Sequence, residues 1–298
     1  MKIANWFVSL ILSLPCAARA LDIVADGRPQ TTIIVPDTPL PVVTFAAREL
    51  QYHVHRATGC ELRIIPEKER PAGGPGLIYL GGTRRAAAAG LDLGELPING
   101  CILRLVGNDL LLAGKDGDGP AAGGYRNRTH SGTLFAVYEF LETQMGVRWL
   151  WPGKLGEFIP RTDTIRIERL DVTQPPRVPA SCLRVSGRDS MLGWGSKGAR
   201  DAFLHDQDLW LRRQRISQPE FISCAHSFTT WWKSYGKDHP DWFQQLPDGT
   251  RGPLKGDRTG KNVTMCVSNP GLHQAIIKKW VAKGGPQNGT VIRLGEND

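Results

Sequence analysis

The chain has 298 residues, of which 41% are hydrophobic and 22% are charged, a composition typical of one or two packed globular domains. This composition excludes a disordered, collagen-like or coiled-coil protein. The formal charge at pH 7 is +8, and the basic residues are spread along the chain rather than grouped in runs of five or six. We therefore expect no nucleic-acid partner.

The N-terminal residues are typical of a cleavable signal peptide. Lys2 precedes an apolar run at residues 6–14, and the small residues Ala18 and Ala20 predict cleavage after Ala20. The apolar run is too short to span a bilayer permanently, and no later stretch reaches the roughly 20 apolar residues that would. We expect residues 1–20 to be removed and the mature protein to be secreted or periplasmic, without stable membrane insertion.

The cysteines predict neither a disulfide framework nor a zinc site. A lipid anchor at Cys16 is the alternative to signal cleavage, although Pro15 fits such a cleavage site poorly. The other cysteines are widely spaced and form no CxxC pair.

The glycine-rich segment 114–119 lacks the acidic ligands of an EF-hand and the GK[ST] ending of a P-loop, so we expect a flexible turn there. We expect neither a metal nor a cofactor.

Residues 21–172 predict short strands that alternate with two helices. The Asp26-Gly27 turn is expected to join a strand at 21–24 to a strand at 32–35. This alternation predicts a fold of the α/β class, an α/β sandwich with a mixed sheet and helices on one face. The further strands are expected at 62–65, 77–80, 101–106 and 110–113, and the helices at 44–55 and 132–144.

A proline-rich linker is predicted at 173–180, and the pattern changes after it. Each strand predicted in residues 181–298 leads into polar residues, which is typical of a parallel β/α barrel whose function resides in the loops after the strands. Four strands fit where a closed barrel needs eight, so we expect the first half of a truncated (β/α)8 TIM-type barrel and a chain that is a fragment. The strands are expected at 181–185, 220–223, 263–267 and 290–294, and the helices at 208–216 and 272–283.

Two acids at the end of the predicted fourth strand are the candidate catalytic residues. Glu296 and Asp298 flank Asn297, an amide that can bind sugar hydroxyls. Glycoside hydrolysis uses two carboxyl groups, one as acid and one as nucleophile or base. The alternative interpretation is that both acids are solvated loop residues.

Aromatic and basic residues of the same region are candidates for substrate binding. Trp194 and Trp231 have polar neighbours in predicted loops, and tryptophan rings stack on the C–H faces of sugars. Arg188 and His226 follow predicted strands and can bind hydroxyls or a uronate carboxylate. Core packing is the alternative, which we favour for tryptophans in helices such as Trp210.

Several segments of the first region resemble the N-terminal domain of bacterial α-glucuronidases, to which a domain of β-hexosaminidases is related. In those enzymes this domain is an accessory α/β sandwich, and the barrel that follows is catalytic. The segments are FAARELQYH at 45–53, ATG at 57–59, IYLG at 78–81, GTLFAVYEFLE at 132–142 and GVRW at 146–149.

The second region is similar to a barrel family of uncharacterised secreted bacterial proteins. The similarity is carried by LWLRR at 209–213, HSF at 226–228, HPDWF at 239–243 and MCVSNP at 265–270.

These resemblances imply a secreted carbohydrate-active protein, a glycoside hydrolase of the α-glucuronidase-like or hexosaminidase-like kind. Its partner would be an oligo- or polysaccharide, with uronic-acid-containing chains among the candidates. Barrel glycosidases of this kind commonly carry an acid after the fourth strand, which matches Glu296 and Asp298. Two alternatives stay open: a non-catalytic carbohydrate-binding protein with a decayed or incomplete barrel, and a structural surface protein that binds no sugar.

Overall fold

The computed structural model describes residues 20–121, 128–175, 195–216, 227–257, 259–261, 263–290, 292 and 294. The chain divides into two compact units, within residues 1–220 and 221–298. No helix among the described residues is long and apolar enough to cross a membrane.

The first unit contains strands, helices and two single 3-10 turns. Its strands are β1 (Leu21–Ala25), β2 (Arg28–Pro29), β3 (Ile33–Val35), β4 (Ile64–Pro66), β5 (Ile78–Leu80), β6 (Cys101–Val106), β7 (Asp109–Gly114), β8 (Arg148–Trp149), β9 (Glu157–Phe158), β10 (Ile165–Ile167) and β11 (Asp171–Gln174). Its helices are α1 (Pro41–Thr58), α2 (Arg84–Ala88), α3 (Gly132–Gln144) and α4 (Lys197–Arg213), and its 3-10 turns are Glu67–Glu69 and Lys154–Gly156.

A six-stranded mixed sheet with the order β11-β6-β7-β5-β3-β4 forms the centre of the first unit. Strands β3, β4, β5 and β7 are parallel, whereas β6 and β11 run antiparallel to their neighbours. The inner strand β3 is buried along its whole length, as expected for a strand covered on both faces. The α/β class and the mixed sheet are therefore confirmed.

The predicted pairing of the first two long strands is wrong. Strand β1 pairs with β2 and β10 in a separate three-stranded sheet. The turn at Asp26-Gly27 has positive φ at both residues, 47° and 67°, the geometry of a tight two-residue hairpin. The hairpin therefore ends after β2, and the apolar β3 enters the larger sheet, where both of its faces are covered.

Helices α1 and α3 pack on one face of the six-stranded sheet. Proline at the start of α1 and Gly59 at its end, with φ of 80°, set the limits of that helix. Alternate residues of the strands, such as Ile78 and Leu112, share one core with both helices, while Tyr79 and Leu111 belong to a smaller cluster on the other face. The two predicted helices therefore lie on the same face of the sheet, as expected.

Helix α4 starts earlier than the predicted residue 208 and belongs to the first unit. The Ser196 hydroxyl accepts a hydrogen bond from the amide of Ala199 and caps the helix. The Trp210 indole donates to the carbonyl oxygen of Trp149 at 2.9 Å. The packing boundary therefore falls after α4, and not at the proline-rich segment 173–180.

The second unit is a small aromatic core with short helices α5 (Trp231–Tyr235) and α6 (Pro270–Ala282) and a 3-10 turn at Pro240–Trp242. Helix α6 confirms the prediction for 272–283. The strand predicted at 263–267 is wrong, because this segment contributes only a single bridge between Phe243 and Met265.

No closed barrel appears in the described part of the chain. The strands predicted at 181–185 and 220–223 lie outside the described residues. Thr290, Ile292 and Leu294 are described and belong to no strand. The truncated barrel consequently stays a prediction.

Candidate functional site

Trp231 is the one predicted site residue that lies within the described ranges. It is 6% exposed in the core of the second unit, packs against the rings of Phe228 and Tyr235, and has the ammonium of Lys279 4.9 Å from its ring centre. Its role in sugar stacking stays a prediction. The other predicted site residues lie outside the described ranges: Arg188, Trp194, His226, Glu296, Asn297 and Asp298.

The first unit contains a cavity of about 240 Å³, lined mainly by charged residues, which we call the hairpin cleft. The β8–β9 hairpin, α1 and α4 form its walls. Small-molecule sites usually measure about 300–1,000 Å³, so the cleft suits a ligand group the size of one sugar ring. Its lining residues are Glu49, Tyr52, Gly153, Lys154, Glu157, Asp206, Leu209 and Arg213.

Arg213 organises the floor of the hairpin cleft. Its guanidinium donates to both carboxylate oxygens of Glu49, at 2.9 and 3.3 Å, and to Oε1 of Glu157 at 2.6 Å. The side chains of Arg213 and Glu157 are each 6% exposed, and that of Glu49 is 9% exposed. These are charge-assisted bonds at a site shielded from water, where they fix geometry strongly.

Tyr52 completes the coordination of Glu157. Its hydroxyl donates to Oε2 of Glu157 at 2.7 Å, and burial together with this carboxylate raises the pKa of Tyr52 to about 12. Burial would raise the pKa of Glu157, but the hydrogen bonds from Tyr52 and Arg213 outweigh it and lower that pKa. Glu157 is therefore ionised at neutral pH and holds no proton that a general acid could give.

His53 and Trp149 support the floor from within the core. The Trp149 indole donates to Nε2 of His53 at 3.0 Å, and Nδ1 of His53 lies 2.7 Å from the carbonyl oxygen of Glu49. Because Nε2 accepts, the ring proton resides on Nδ1, which defines a neutral tautomer. Burial lowers the pKa of His53 in agreement with this state.

The rim of the hairpin cleft carries free charges. Asp206 and Lys154 are exposed, and neither makes an ion pair with another residue in the described ranges. Gly153 lies directly against Asp206, because a Cβ at this glycine would come 2.8 Å from the Asp206 carboxylate. Its φ of 79° also favours glycine.

The β8–β9 hairpin also presents apolar side chains to solvent. Trp151 is 62% exposed and precedes Gly153 by two residues. Exposed apolar groups that cluster in this way often mark interaction surfaces. The same short segment adds Leu150, Leu155 and Phe158, all largely exposed.

The glycine-rich segment 114–119 has a structural role. Asp116 accepts hydrogen bonds from the backbone amide and hydroxyl of Thr133 at 2.9 and 2.5 Å, at the start of α3. Gly114 and Gly132 touch, since a Cβ on Gly114 would come 2.4 Å from the Gly132 backbone. Among the residues the structure describes, no three His, Cys, Asp or Glu side chains are grouped so that they could hold a metal ion.

Two comparisons relate the chain to known proteins. Residues 151–298 match the model of a family described as a domain of unknown function, DUF4838. Among solved structures, the chain is similar to a family GH115 4-O-methyl-α-glucuronidase with specificity for decorated arabinogalactans, at 15% identity and a TM-score of 0.36.

This structural similarity covers 55% of the present chain and 19% of the glucuronidase, so the chain spans about a fifth of that enzyme's length. No curated protein matches the chain.

Proposed function

We propose that this chain is a secreted carbohydrate-active protein, and that it is a glycoside hydrolase of the α-glucuronidase-like or hexosaminidase-like kind. The architecture of the first unit supports this proposal. The segments that resemble the accessory domain of α-glucuronidases form α1 and α3, and these two helices lie together on one face of a mixed sheet. This is the arrangement that the resemblance implies.

The proposed catalytic acids are Glu296 and Asp298, in the barrel half predicted for residues 181–298. The hairpin cleft is not proposed as the catalytic centre, although it contains carboxylates. Glu49 and Glu157 are both paired with Arg213, whereas the general acid of a glycosidase must carry a proton. Asp206, the third carboxylate of the cleft, makes no ion pair in the described ranges, but one available carboxyl group does not supply the two that the reaction uses. We therefore propose catalytic acids elsewhere in the chain.

The test is hydrolysis by the native protein isolated from its source. We would measure the release of uronic acid from glucuronic-acid-decorated oligosaccharides and of amino sugar from hexosaminides, by ion-exchange chromatography. Glu296→Gln and Asp298→Asn should each lower turnover by about a hundredfold or more if the residue is a general acid or base.

The matched control is Asp248→Asn. Asp248 is an acid that hydrogen-bonds within its own turn, to Thr250, so its replacement should leave turnover unchanged. Full activity in both Glu296→Gln and Asp298→Asn would refute the proposed catalytic acids. Absence of product from every acidic and amino-sugar substrate would refute a hydrolase.

A non-catalytic carbohydrate-binding protein is the second candidate, and the hairpin cleft favours it. The cleft offers charged and hydroxyl groups around a small cavity, but its buried carboxylates are held by Arg213. This candidate predicts saturable glycan binding without product formation. It also predicts weaker binding of glycans by Trp194→Ala, since that ring is a proposed stacking surface.

A further inference from the structure

We infer that the hairpin cleft is a binding site for a single sugar unit that is cationic or neutral, an amino sugar above all, and that it disfavours uronates. This inference rests on the proposed function for the idea that the ligand is a sugar. It adds a binding site in the first unit, separate from the predicted catalytic acids, and a preference that follows from the charge of the cleft.

The floor of the cleft retains hydrogen-bonding capacity for a ligand. A guanidinium has five N–H donors, and Arg213 uses three of them on Glu49 and Glu157. Each oxygen of Glu157 accepts one bond from a described residue and can accept another. A buried group that lines a cavity and has donors and acceptors to spare suits hydroxyl groups, which donate and accept at once.

The charges around the cleft do not cancel. Glu49, Glu157 and Asp206 bring three carboxylates, while Arg213 and Lys154 bring two cations. Among the residues that line the cleft, carboxylates therefore outnumber cations by one, and charges in a partly shielded cavity interact more strongly than in bulk water. The ammonium group of an amino sugar is attracted by this excess, and the carboxylate of a uronate is repelled.

The hairpin that contributes Lys154 and Glu157 to the cleft also carries an exposed aromatic side chain, which is not itself part of the cavity lining. Trp151 is 62% exposed on the same hairpin as Lys154 and Glu157. The apolar C–H face of a sugar ring can cover such a ring while its hydroxyls turn to polar partners. The hairpin thus supplies both kinds of contact that a sugar unit requires.

The test is binding of three probes to the full chain, measured by ligand-observed NMR titration at pH 6 and low salt. The probes are glucosamine, which is cationic at this pH, N-acetylglucosamine, which is neutral, and glucuronate. Glucosamine should bind about tenfold more tightly than glucuronate, with the neutral sugar between them. Trp151→Ala should weaken all three by a similar factor, about threefold to tenfold.

Two rim variants shift the preference in opposite directions. Asp206→Asn should lower the ratio of glucosamine to glucuronate affinity by about fivefold, and Lys154→Gln should raise it by a similar factor. Both residues are exposed, so the variants should fold as the wild type does. Asp201→Asn is the matched control, because Asp201 lies on the same helix but outside the cleft.

Three outcomes would overturn this inference: no saturable binding of any probe, tighter binding of glucuronate than of glucosamine, or a ratio that neither rim variant changes. Its failure is distinguishable from failure of the proposed function. Hydrolysis without cleft-dependent binding would refute the binding site alone. Cleft-dependent binding without hydrolysis would support the binding site and refute the proposed hydrolase.

Discussion

Replacing Arg213 by methionine should destabilise the first unit by about 3–5 kcal/mol at pH 7. Methionine fills a similar length but removes the three charge-assisted bonds, at 2.6, 2.9 and 3.3 Å, that join Glu49 and Glu157. Two buried carboxylates would then face each other without a counter-ion, and breaking such a buried network costs about this much. The matched control is Arg104→Met, since Arg104 pairs with the largely exposed Asp171, and an exposed pair contributes about 1 kcal/mol or less.

The effect of Arg213→Met should depend on pH in a direction that the structure defines. Without the guanidinium, which lowers the pKa of Glu157 in the wild type, that pKa rises in the folded variant. The folded variant then binds protons that the unfolded chain does not, so its stability increases as the pH falls from 7 towards 5. In the wild type, the lowered pKa of Glu157 gives a contribution that is present above the ordinary pKa of 4.5 and is lost as the pH falls through the folded value. The difference between the two proteins should therefore be largest near neutrality.

Urea unfolding followed by tryptophan fluorescence measures this difference. The ring of Trp149 reports on the network, because the Arg213 guanidinium lies 5.7 Å from its centre. Arg213→Lys keeps the positive charge but not the planar set of N–H donors that binds both carboxylates, so it should lose roughly half as much free energy of unfolding as Arg213→Met. A loss below about 1 kcal/mol at pH 7, or a loss that does not shrink towards pH 5, would refute the reasoning.

Three further predictions concern titration and packing. Burial raises the pKa of Asp116 to about 6, so the contribution of this group to the free energy of unfolding should increase by up to about 3 kcal/mol as the pH falls from 7 to 4. Asp116→Asn should abolish this contribution in urea unfolding measured at several pH values. Burial lowers the pKa of His53, so the contribution of this group to stability has the opposite sign. Below pH 6.5 the unfolded chain takes up a proton that folded His53 does not, which should lower the free energy of unfolding by at most about 1.4 kcal/mol per pH unit. His53→Gln should remove this dependence on pH. Gly114→Ala should cost about 3 kcal/mol, because its Cβ would meet the backbone of Gly132. Gly198→Ala in α4 should be neutral or slightly stabilising in thermal unfolding, because its Cβ would make only an ordinary contact, 4.0 Å from the Ser196 hydroxyl.

The elements that the sequence predicts well have local signals. Helix α3 spans the predicted residues 132–144, because an apolar run begins after a glycine-rich segment and ends before Gly146. The β6–β7 hairpin was expected with its turn near Gly107, and Cys101–Val106 does pair with Asp109–Gly114 in antiparallel register. Turn residues and hydrophobic periodicity involve only a few neighbouring residues, so both can be identified from the local sequence.

Pairing between strands that are distant in sequence cannot be identified from such local patterns. The sequence identifies the turn at Asp26-Gly27 but not its partner strand, because both β2 and β3 follow the turn and apolarity alone favours the longer strand. The burial of β3 on both faces depends on β4 and β5, which come much later in the chain. Tertiary packing determines register and strand order, and a short apolar segment is compatible with several registers and several positions in a sheet.

The hairpin cleft shows the same limitation for function. Glu49 and Arg213 are 164 residues apart, and each belongs to a helix whose sequence also fits a solvent-exposed charged face. Charged residues are rarely buried unless they are paired, so their burial here follows from their partners. The Arg212-Arg213 pair at the end of α4 gives no local signal of burial, because basic residues in the last turn of a helix are also favourable when they are exposed to solvent.

The two arginines also explain why the first unit extends through α4. Arg212 donates to the carbonyl oxygens of Ala121 and Thr129 at 3.1 and 3.3 Å, while Arg213 neutralises Glu49 and Glu157. Without α4, each of these carbonyls would lose a hydrogen-bond donor and the two carboxylates would lose their counter-ion, and a buried charge without a counter-ion is costly. Glu49 lies within the segment that resembles an accessory domain, so that segment already contains a charge whose partner lies beyond the proline-rich linker. The domain is therefore defined by where its buried charges are neutralised, and a composition break alone does not mark its end.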